Sequence, residues 1–348
     1  VSVTLRVADL ASETEAIDAY VRAHPLGTPF HLSGWSRAVA RGCGQANHYL
    51  IAESKTAIVG LLPMTLVHSP LFGRALVSSA FAVGGGVLAG DESVARTLIA
   101  EAVAMAERLT CPTVELRGGM MAAGADWHHD ETTYLGFVRD LAGDDEAELL
   151  AIPRKQRAEV RRALGFDLTV ETGSAEADRS GHYAVYSESV RNLGTPVFPR
   201  ALFDAVLDEF GEGADILTVR HAGVPVASVL SLYWRGTVMP YWGGGTAAAR
   251  GLRANDLMYY ALMNHARRCG CTRFDFGRSK TGTGPAAFKH NWGFEGEPLT
   301  YAKYAADGEA PRDINPLNPK YRMQVALWQK LPLAIANRIG PMIARGLG

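Results

Sequence analysis

The side chains best equipped for chemistry sit in the last third of the chain. Phe288-Lys289-His290-Asn291-Trp292 sets an ammonium and an imidazole next to each other. An ammonium aimed at a developing oxyanion in a water-poor cleft contributes a few kcal/mol, on the order of 10²–10³ in rate. His290 would accept a proton from an amine. Neighbouring positions on a helix diverge by ~100°, so the two need not face one cleft. Asp275 stands between Phe274 and Phe276 in FDFG, and in a strand it points to the face opposite theirs. There it would orient an amine or take its proton, or else pair with Arg273 or Arg278.

Two further groups of cations suit an anion. Arg278, Lys280, Gly282 and Gly284 lie in RSKTGTG, where glycines let backbone amides approach a phosphate and the cations add charge. A solvent loop would have the same composition. Arg154, Lys155, Arg157, Arg161 and Arg162 place five cations within residues 154–162. At helical spacing Arg154, Arg157 and Arg161 share a face, suited to a polyphosphate or tRNA backbone or simply to water. There is no G-x-S-x-G elbow, and no histidine is identifiable as a partner for Cys43, Cys111, Cys269 or Cys271. The cysteines also form no disulfide framework or metal-ligand pattern, and no metal is expected. An ammonium, an imidazole and a carboxylate without a covalent nucleophile suit chemistry in which a proton is taken from a held reactant and an oxyanion is stabilised.

The elements that would hold these residues occur twice. HYLIAES and IVGLLPMTLV (48–67) predict an antiparallel hairpin, as do DILTVRH and PVASVLSLYW (215–234). A glycine triplet follows each, at Gly84 and at Gly243. Next come a helix with apolar residues at three- and four-residue steps (Leu98, Ala102, Met105; Leu257, Tyr260, Met263) and a strand, VELR or FDFG. Two helices precede each hairpin, at 12–23 and 33–42 and at 177–191 and 200–210. This order resembles a GNAT domain. It implies an α/β fold of two tandem GNAT-like domains, each a mixed, mostly antiparallel sheet flanked by helices. The boundaries read as 1–143, a charged linker helix at 144–173, a catalytic domain at 174–319, and a basic amphipathic tail at 320–348.

The second copy is similar to the FemAB branch of that superfamily in ANDLMYYALMNHARRCGCTRFDFGRSKTGTGPAAFKHNWGF (254–294). PRKQRAEVRRAL, NLGTPVFPR, FDFGRSK and INPLNPKYR resemble the FemAB-related proteins associated with exosortase/PEP-CTERM systems. The resemblance puts Lys289 on the family's FK lysine and adds Asn192 and Tyr241 as cleft residues. It implies an acyl or aminoacyl transferase acting on an amine of an envelope, exopolysaccharide-related or lipid precursor. The donor would be a co-substrate, aminoacyl-tRNA, acyl-CoA or acyl carrier protein, with no permanently bound cofactor and with tRNA contact if the first is used. An acyl-CoA-binding member usually carries a basic-or-Gln, x-x-Gly-x-Gly/Ala loop before its helix, and TAAARGLRAND departs from it with Arg253 after Gly251. Two other readings stand beside this one: fatty-acyl transfer to a long-chain amine, and a non-catalytic module that keeps the double fold. VELRGGMMAAG lacks the polar residues of FDFGRSKTGTG, which puts the chemistry in the second copy.

The rest of the chain sets bounds. Apolar residues make up 47% and charged residues 20%, with a formal net charge of -1, so general attraction to nucleic acid is excluded. Acidic residues fall where a secretory leader would have its apolar core, and no run reaches the ~20 apolar residues of a span. A cytoplasmic location is expected. From Lys320 the tail has five cations and no acid, with Trp328, Leu331, Ile335 and Ile339 as apolar bulk and prolines at 332 and 341 breaking it into short helices. That predicts an interfacial pair on the inner membrane surface, unless the apolar side packs on the protein.

Overall fold

The structure is a computed structural model that describes residues 3–121, 124, 126–305 and 319–348, with side chains from 323 onward in the last stretch. Residues 314–318 of the INPLNPKYR motif lie outside the described residues, as do the side chains of 319–322, Lys320 and Arg322 among them. The chain opens with β1 (Val3–Ala8), α1 (Thr14–Ala23), α2 (Ser33–Cys43), β2 (Ala46–Ser54), β3 (Ala57–Ser69) and β4 (Gly73–Ser78). β5 (Leu88–Ala89), α3 (Glu92–Arg108), β6 (Thr113–Arg117), β7 (Trp127–Asp130) and β8 (Tyr134–Asp140) follow. Then come α4 (Asp145–Ala151), α5 (Arg154–Leu164), β9 (Leu168–Gly173), α6 (Glu176–Leu193) and α7 (Arg200–Phe210). β10 (Ala214–His221), β11 (Val224–Trp234), β12 (Thr237–Gly245), α8 (Ala247–Leu252), α9 (Ala254–Arg268) and β13 (Arg273–Lys280) complete the central stretch. The chain closes with α10 (Gly284–Asn291), β14 (Gly296–Pro298), β15 (Tyr301–Ala305), α11 (Pro319–Trp328) and α12 (Leu333–Ala344).

Two compact units result. The first comprises Val1–Glu131, Leu299–Asn315 and Met342–Gly348, and the second Thr132–Pro298 and Pro316–Pro341. The first unit's sheet runs β1-β2-β3-β4-β6-β15-β7 with β5 alongside β3; the second unit's runs β14-β8-β13-β12-β11-β10-β9. Most neighbours are antiparallel, and β4 with β6 and β12 with β13 are the parallel pairs. Both expected hairpins are present. In the second unit β10–β11 and β11–β12 close through two-residue turns at Ala222-Gly223 and Arg235-Gly236, all four at positive φ, which matches the twist of the flanking strands. Each unit has its own core. α3 lays Leu98, Ala102 and Met105 on the first sheet. α9 lays Leu257, Met258 and Met263 on the second, where Phe137, Phe274, Trp292 and Phe294 are fully buried. Burying such a side chain contributes about 1.5–3 kcal/mol.

The sequence-based boundaries differ from these units. β8 was expected with the first domain but pairs antiparallel with both β13 and β14 of the second sheet. β15, expected with the second, pairs with β6 and β7 of the first. The linker helix expected at 144–173 is two helices and a strand built into the second unit. Val160 and Ala163 of α5 belong to the core that includes α9, and β9 runs antiparallel to β10. Their burial, not their charge, fixes this segment. Pro332 separates α11 from α12 as expected, whereas Pro341 lies inside α12.

The tail packs on the protein along one side. In the second unit Arg191 of α6 donates to the carbonyls of Gln329 (3.3 Å) and Leu331 (3.5 Å), and Asn337 Nδ2 donates to Ser187 Oγ at 3.2 Å. In the first, Gln45 Nε2 donates to the Arg345 carbonyl at 2.7 Å. The other side keeps Met323, Leu327, Ile335 and Met342 in water, at 73, 60, 48 and 66% exposure. Among the described residues no helix is long and apolar enough to cross a membrane.

Candidate active site

β12 and β13 lie parallel at two residue pairs only, Thr237↔Arg273 and Val238↔Phe274, although both strands continue, to Gly245 and Lys280. Each wall of this parting is irregular. In β12, Leu230 of β11 faces Trp242 and Ser231 faces Pro240, so Tyr241 opposes no residue of β11 and forms a bulge. In β13 the register with β8 shifts between Asp275 and Arg278.

The β13 irregularity is held by the two residues that the sequence singled out first. Gly277 has φ +69°, a left-handed conformation costly to residues with a Cβ. Its N–H donates to Asp275 Oδ1 at 2.8 Å, and its carbonyl accepts from Lys289 Nζ at 3.0 Å. Lys289 also donates to the Arg278 carbonyl at 3.0 Å. Lys289 is 8% exposed, on α10, with its ammonium over the rings of Phe137 (5.2 Å) and Phe276 (5.6 Å). Burial lowers its pKa to about 8, against the opposing pull of the Asp275 carboxylate, with the Arg278 charge lowering it further. Burial likewise raises Asp275 above the usual carboxylate range, while the Gly277 N–H and the charges of Lys289 and Arg273 work the other way. Desolvation thus moves both groups toward their neutral forms, and strongly perturbed groups of this kind mark candidate functional sites. Asp275 faces away from Phe274 and Phe276, as its alternation requires, since both rings are in the α9 core. Its hydrogen bond goes to Gly277, not to Arg273 or Arg278: Arg273 meets Asp140 at 3.6 Å and Arg278 stacks 4.7 Å over Tyr134.

The remaining expected residues sort by place. His290 follows Lys289 on α10 but is turned outward, exposed, with its ring edge-on to Phe137 at 5.1 Å. Lys280 joins Arg278 over Tyr134, at 5.7 Å. Gly282, in the following loop, and Gly284, at the start of α10, are both exposed, and Thr281 ties the loop down by donating from its backbone to Thr133 O (2.9 Å) and from its hydroxyl to Thr132 O (2.7 Å). Tyr241 lies on the β12 wall against Trp242, at 4.8 Å. Asn192 is exposed on α6, and its carbonyl accepts from Gln329 of the tail, so no contact joins it to Lys289. Arg154 and Lys155 are exposed on α5, and Arg157 donates to the Leu150 carbonyl at 3.1 Å. α5 is anchored to the first turn of α9, where Gln156 donates to Asp256 at 2.5 Å and Glu159 accepts from Arg253 at 2.7 Å.

Sequence reasoning missed Tyr134, which carries both loop cations, and α8. The stretch TAAARGLR is not an amide loop but the helix α8, ending at Arg253 with φ +54°. Asp256 then brings a carboxyl into the first turn of α9. The run of alanines was the available signal for a helix. The glycine triplet is explained by packing: a Cβ on Gly244 would meet Ser189 Oγ at 2.3 Å, and one on Gly245 would meet Asn255 Oδ1 at 2.5 Å.

The corresponding place in the first unit is filled. β4 and β6 also pair at two positions, Leu76↔Val114 and Val77↔Glu115. Beyond them Val87 bridges to Gly119, Gly86 approaches Gly118 so closely that a Cβ would lie 1.8 Å from its carbonyl oxygen, and Arg117 Nη1 donates to Ala82 O at 3.1 Å. Among the described residues no such bridge joins β12 to β13 beyond Phe274.

Residues 152–290 match the family model for the acetyltransferase (GNAT) domain. No curated protein matches the chain. FemX aligns with a TM-score of 0.66 at 14% identity, covering 87% of this chain and 98% of that one. The C-terminal domain of a protein described as a lysylphosphatidylglycerol synthetase, from Agrobacterium fabrum, aligns at 0.59 and 16%, covering 86% and 93%. A tandem GNAT protein from the clavulanic acid biosynthesis pathway aligns at 0.56 and 14%, covering 88% and 100%. At these identities the structures speak to the fold, which is GNAT-like in tandem. The matched domain makes the chain an acyltransferase, and the reading as a non-catalytic module is dropped.

Proposed function

We propose that the protein moves an acyl or aminoacyl group onto an amine of an envelope or lipid precursor, with its chemistry at the β12–β13 parting of the second unit. The observation that carries this is the contrast between that parting, bounded by the Tyr241 bulge of β12 and the Asp275–Gly277 bend of β13 that Lys289 holds, and its bridged counterpart in the first unit. In the reaction the amine nitrogen attacks the acyl carbon and the bond to the carrier's sulfur or oxygen breaks. The amine proton passes to a base, and the carrier leaves as thiol or hydroxyl. Asp275 is the candidate base. Lys289 holds the Gly277 bend that positions Asp275, and its charge lies beside the forming oxyanion. Arg278 and Lys280 would steady an anionic part of either substrate.

Aminoacyl-tRNA suits the donor side better than acyl-CoA. α8 takes the place of an amide loop, Asp256 opposes a pyrophosphate at α9, and Arg154 and Lys155 lie exposed beside that helix. The name of the lysylphosphatidylglycerol synthetase, which joins an amino acid to a lipid, is in keeping with an aminoacyl group. An envelope or exopolysaccharide role tied to exosortase systems rests on the sequence resemblance. The exposed Met323, Leu327 and Ile335 favour a lipid-borne acceptor reached from the inner membrane face, which keeps fatty-acyl transfer to a long-chain amine as the second reading. The test supplies labelled aminoacyl-tRNA, acyl-CoA and acyl carrier protein in turn, with an aminophospholipid or a sphingoid base as acceptor. Label should move to the lipid amine, and Asp275→Asn, which can still accept from Gly277, should slow transfer at least about a hundredfold. Transfer by Asp275→Asn at the parent rate would remove Asp275 as base, and no transfer from any donor would refute the reading.

A further inference from the structure

Away from the β12–β13 parting, the second unit carries a groove of about 470 Å³. One wall is a single stripe of α9, at positions 257, 260, 261, 264, 265 and 268. Leu164 at the end of α5 and the edge strand β9 form the other side, and Leu217 of β10 the floor. A helix stripe at three- and four-residue steps is normally the face that packs. Here the stripe is buried at Leu257, Tyr260 and Asn264 and opens toward solvent at Ala261, His265 and Arg268, while Leu164 and Val170 are left 52 and 39% exposed. The volume fits a small molecule.

The polar end of the groove is rich in donors. Asn264 is only 7% exposed; its Oδ1 accepts from Arg267 at 3.2 Å, and among the described residues its Nδ2 meets no acceptor. His265 Nε2 is 2.8 Å from Asp215, and its Nδ1 has no partner among the described residues. Arg268 comes no nearer to Asp145 than 3.8 Å. The acceptors are already engaged. Asp215 also receives the Tyr233 hydroxyl at 2.9 Å, and Asp145 is paired with Arg267. Arg267 takes up the Asp145 charge, and the Arg268 guanidinium is left without a close acceptor among the described residues.

We propose that this groove binds a small amphiphile with a carboxylate head, of the medium-chain fatty acid class. The head would meet the Arg268 guanidinium and the Asn264 amide, one turn apart on α9, since a planar two-oxygen acceptor matches that fork. The chain would cover the exposed Leu164 and Val170 and run past Ala261, above the buried Leu217 and Leu257. Nothing in this site draws on Asp275 or Lys289, so it stands or falls apart from the transferase reading. The test is calorimetric titration of the full chain with decanoate, decylamine and acetate. Decanoate should bind with a submillimolar Kd, and the other two at least about tenfold more weakly. Arg268→Glu, on an exposed side chain, should weaken decanoate about tenfold at an unchanged Tm, and Ala261→Trp should fill the groove and abolish binding. Decylamine binding as tightly as decanoate, decanoate failing to bind the parent, or both variants binding like the parent would overturn the proposal.

Discussion

Burial shifts the protonation of both Lys289 and Asp275 toward the neutral form. Lys289 is pushed from 10.5 to about 8 by burial. Between those values the unfolded chain holds a proton that the native state has released, so this group makes stability rise with pH across that window. Activity should run the other way, because the ammonium that braces the Gly277 and Arg278 carbonyls is lost as pH rises through about 8. We expect parent turnover to fall above that pH, and Lys289→Arg, charged throughout, to flatten the fall. Lys289→Ala should cut turnover at least about tenfold while staying folded. A pH–rate profile level to pH 10 in the parent would take the ammonium out of the mechanism. The type and place of both residues were legible in FDFG and FKHNW. Their joint grip on Gly277 was not, because a left-handed glycine and a twelve-residue reach from Gly277 to Lys289 leave no local pattern.

Among the elements, periodicity gave the hairpins to within a residue or two at each strand end and the inward positions of α3 and α9, since each buries one face. It failed for α5, whose cations suggested a linker while Val160 and Ala163 did the packing. With that face inward, Arg154 and Lys155 point outward at the start of α9's neighbour. Reversing both to Glu should raise the KM for an anionic donor severalfold and leave kcat within about twofold, because such contacts act equally in ground and transition states. The salt dependence of KM should flatten in the same variant. An unchanged KM with every donor would reduce the cluster to a solvated face.

For the molecule as a whole, the tail reconciles both sequence alternatives: one side packs on α6, while Met323, Leu327 and Ile335 remain in water beside Lys330 and Arg338. Full-length protein should co-sediment with anionic vesicles, and a Met323→Glu/Leu327→Glu/Ile335→Glu variant should lose most of that binding without a fall in Tm. Equal sedimentation of both, or of neither, would exclude the membrane contact.

The place of β15 between β6 and β7 also dictates when the first sheet can close. β7 ends at Asp130 and, among the described residues, has no strand partner other than β15, which begins at Tyr301. A ribosome adding ~5–20 residues per second needs roughly ten to thirty seconds to cross that interval. Throughout it, β6 presents an unpaired edge, and Val114 and Leu116 wait for a neighbour. Nascent chains arrested after residue 298 should therefore be cut readily by protease within 113–130, and chains arrested late enough to free β15 from the exit tunnel should resist. The protein emerges with its older half unfinished, a window in which a chaperone has more to protect than in a tandem array whose domains close one after the other.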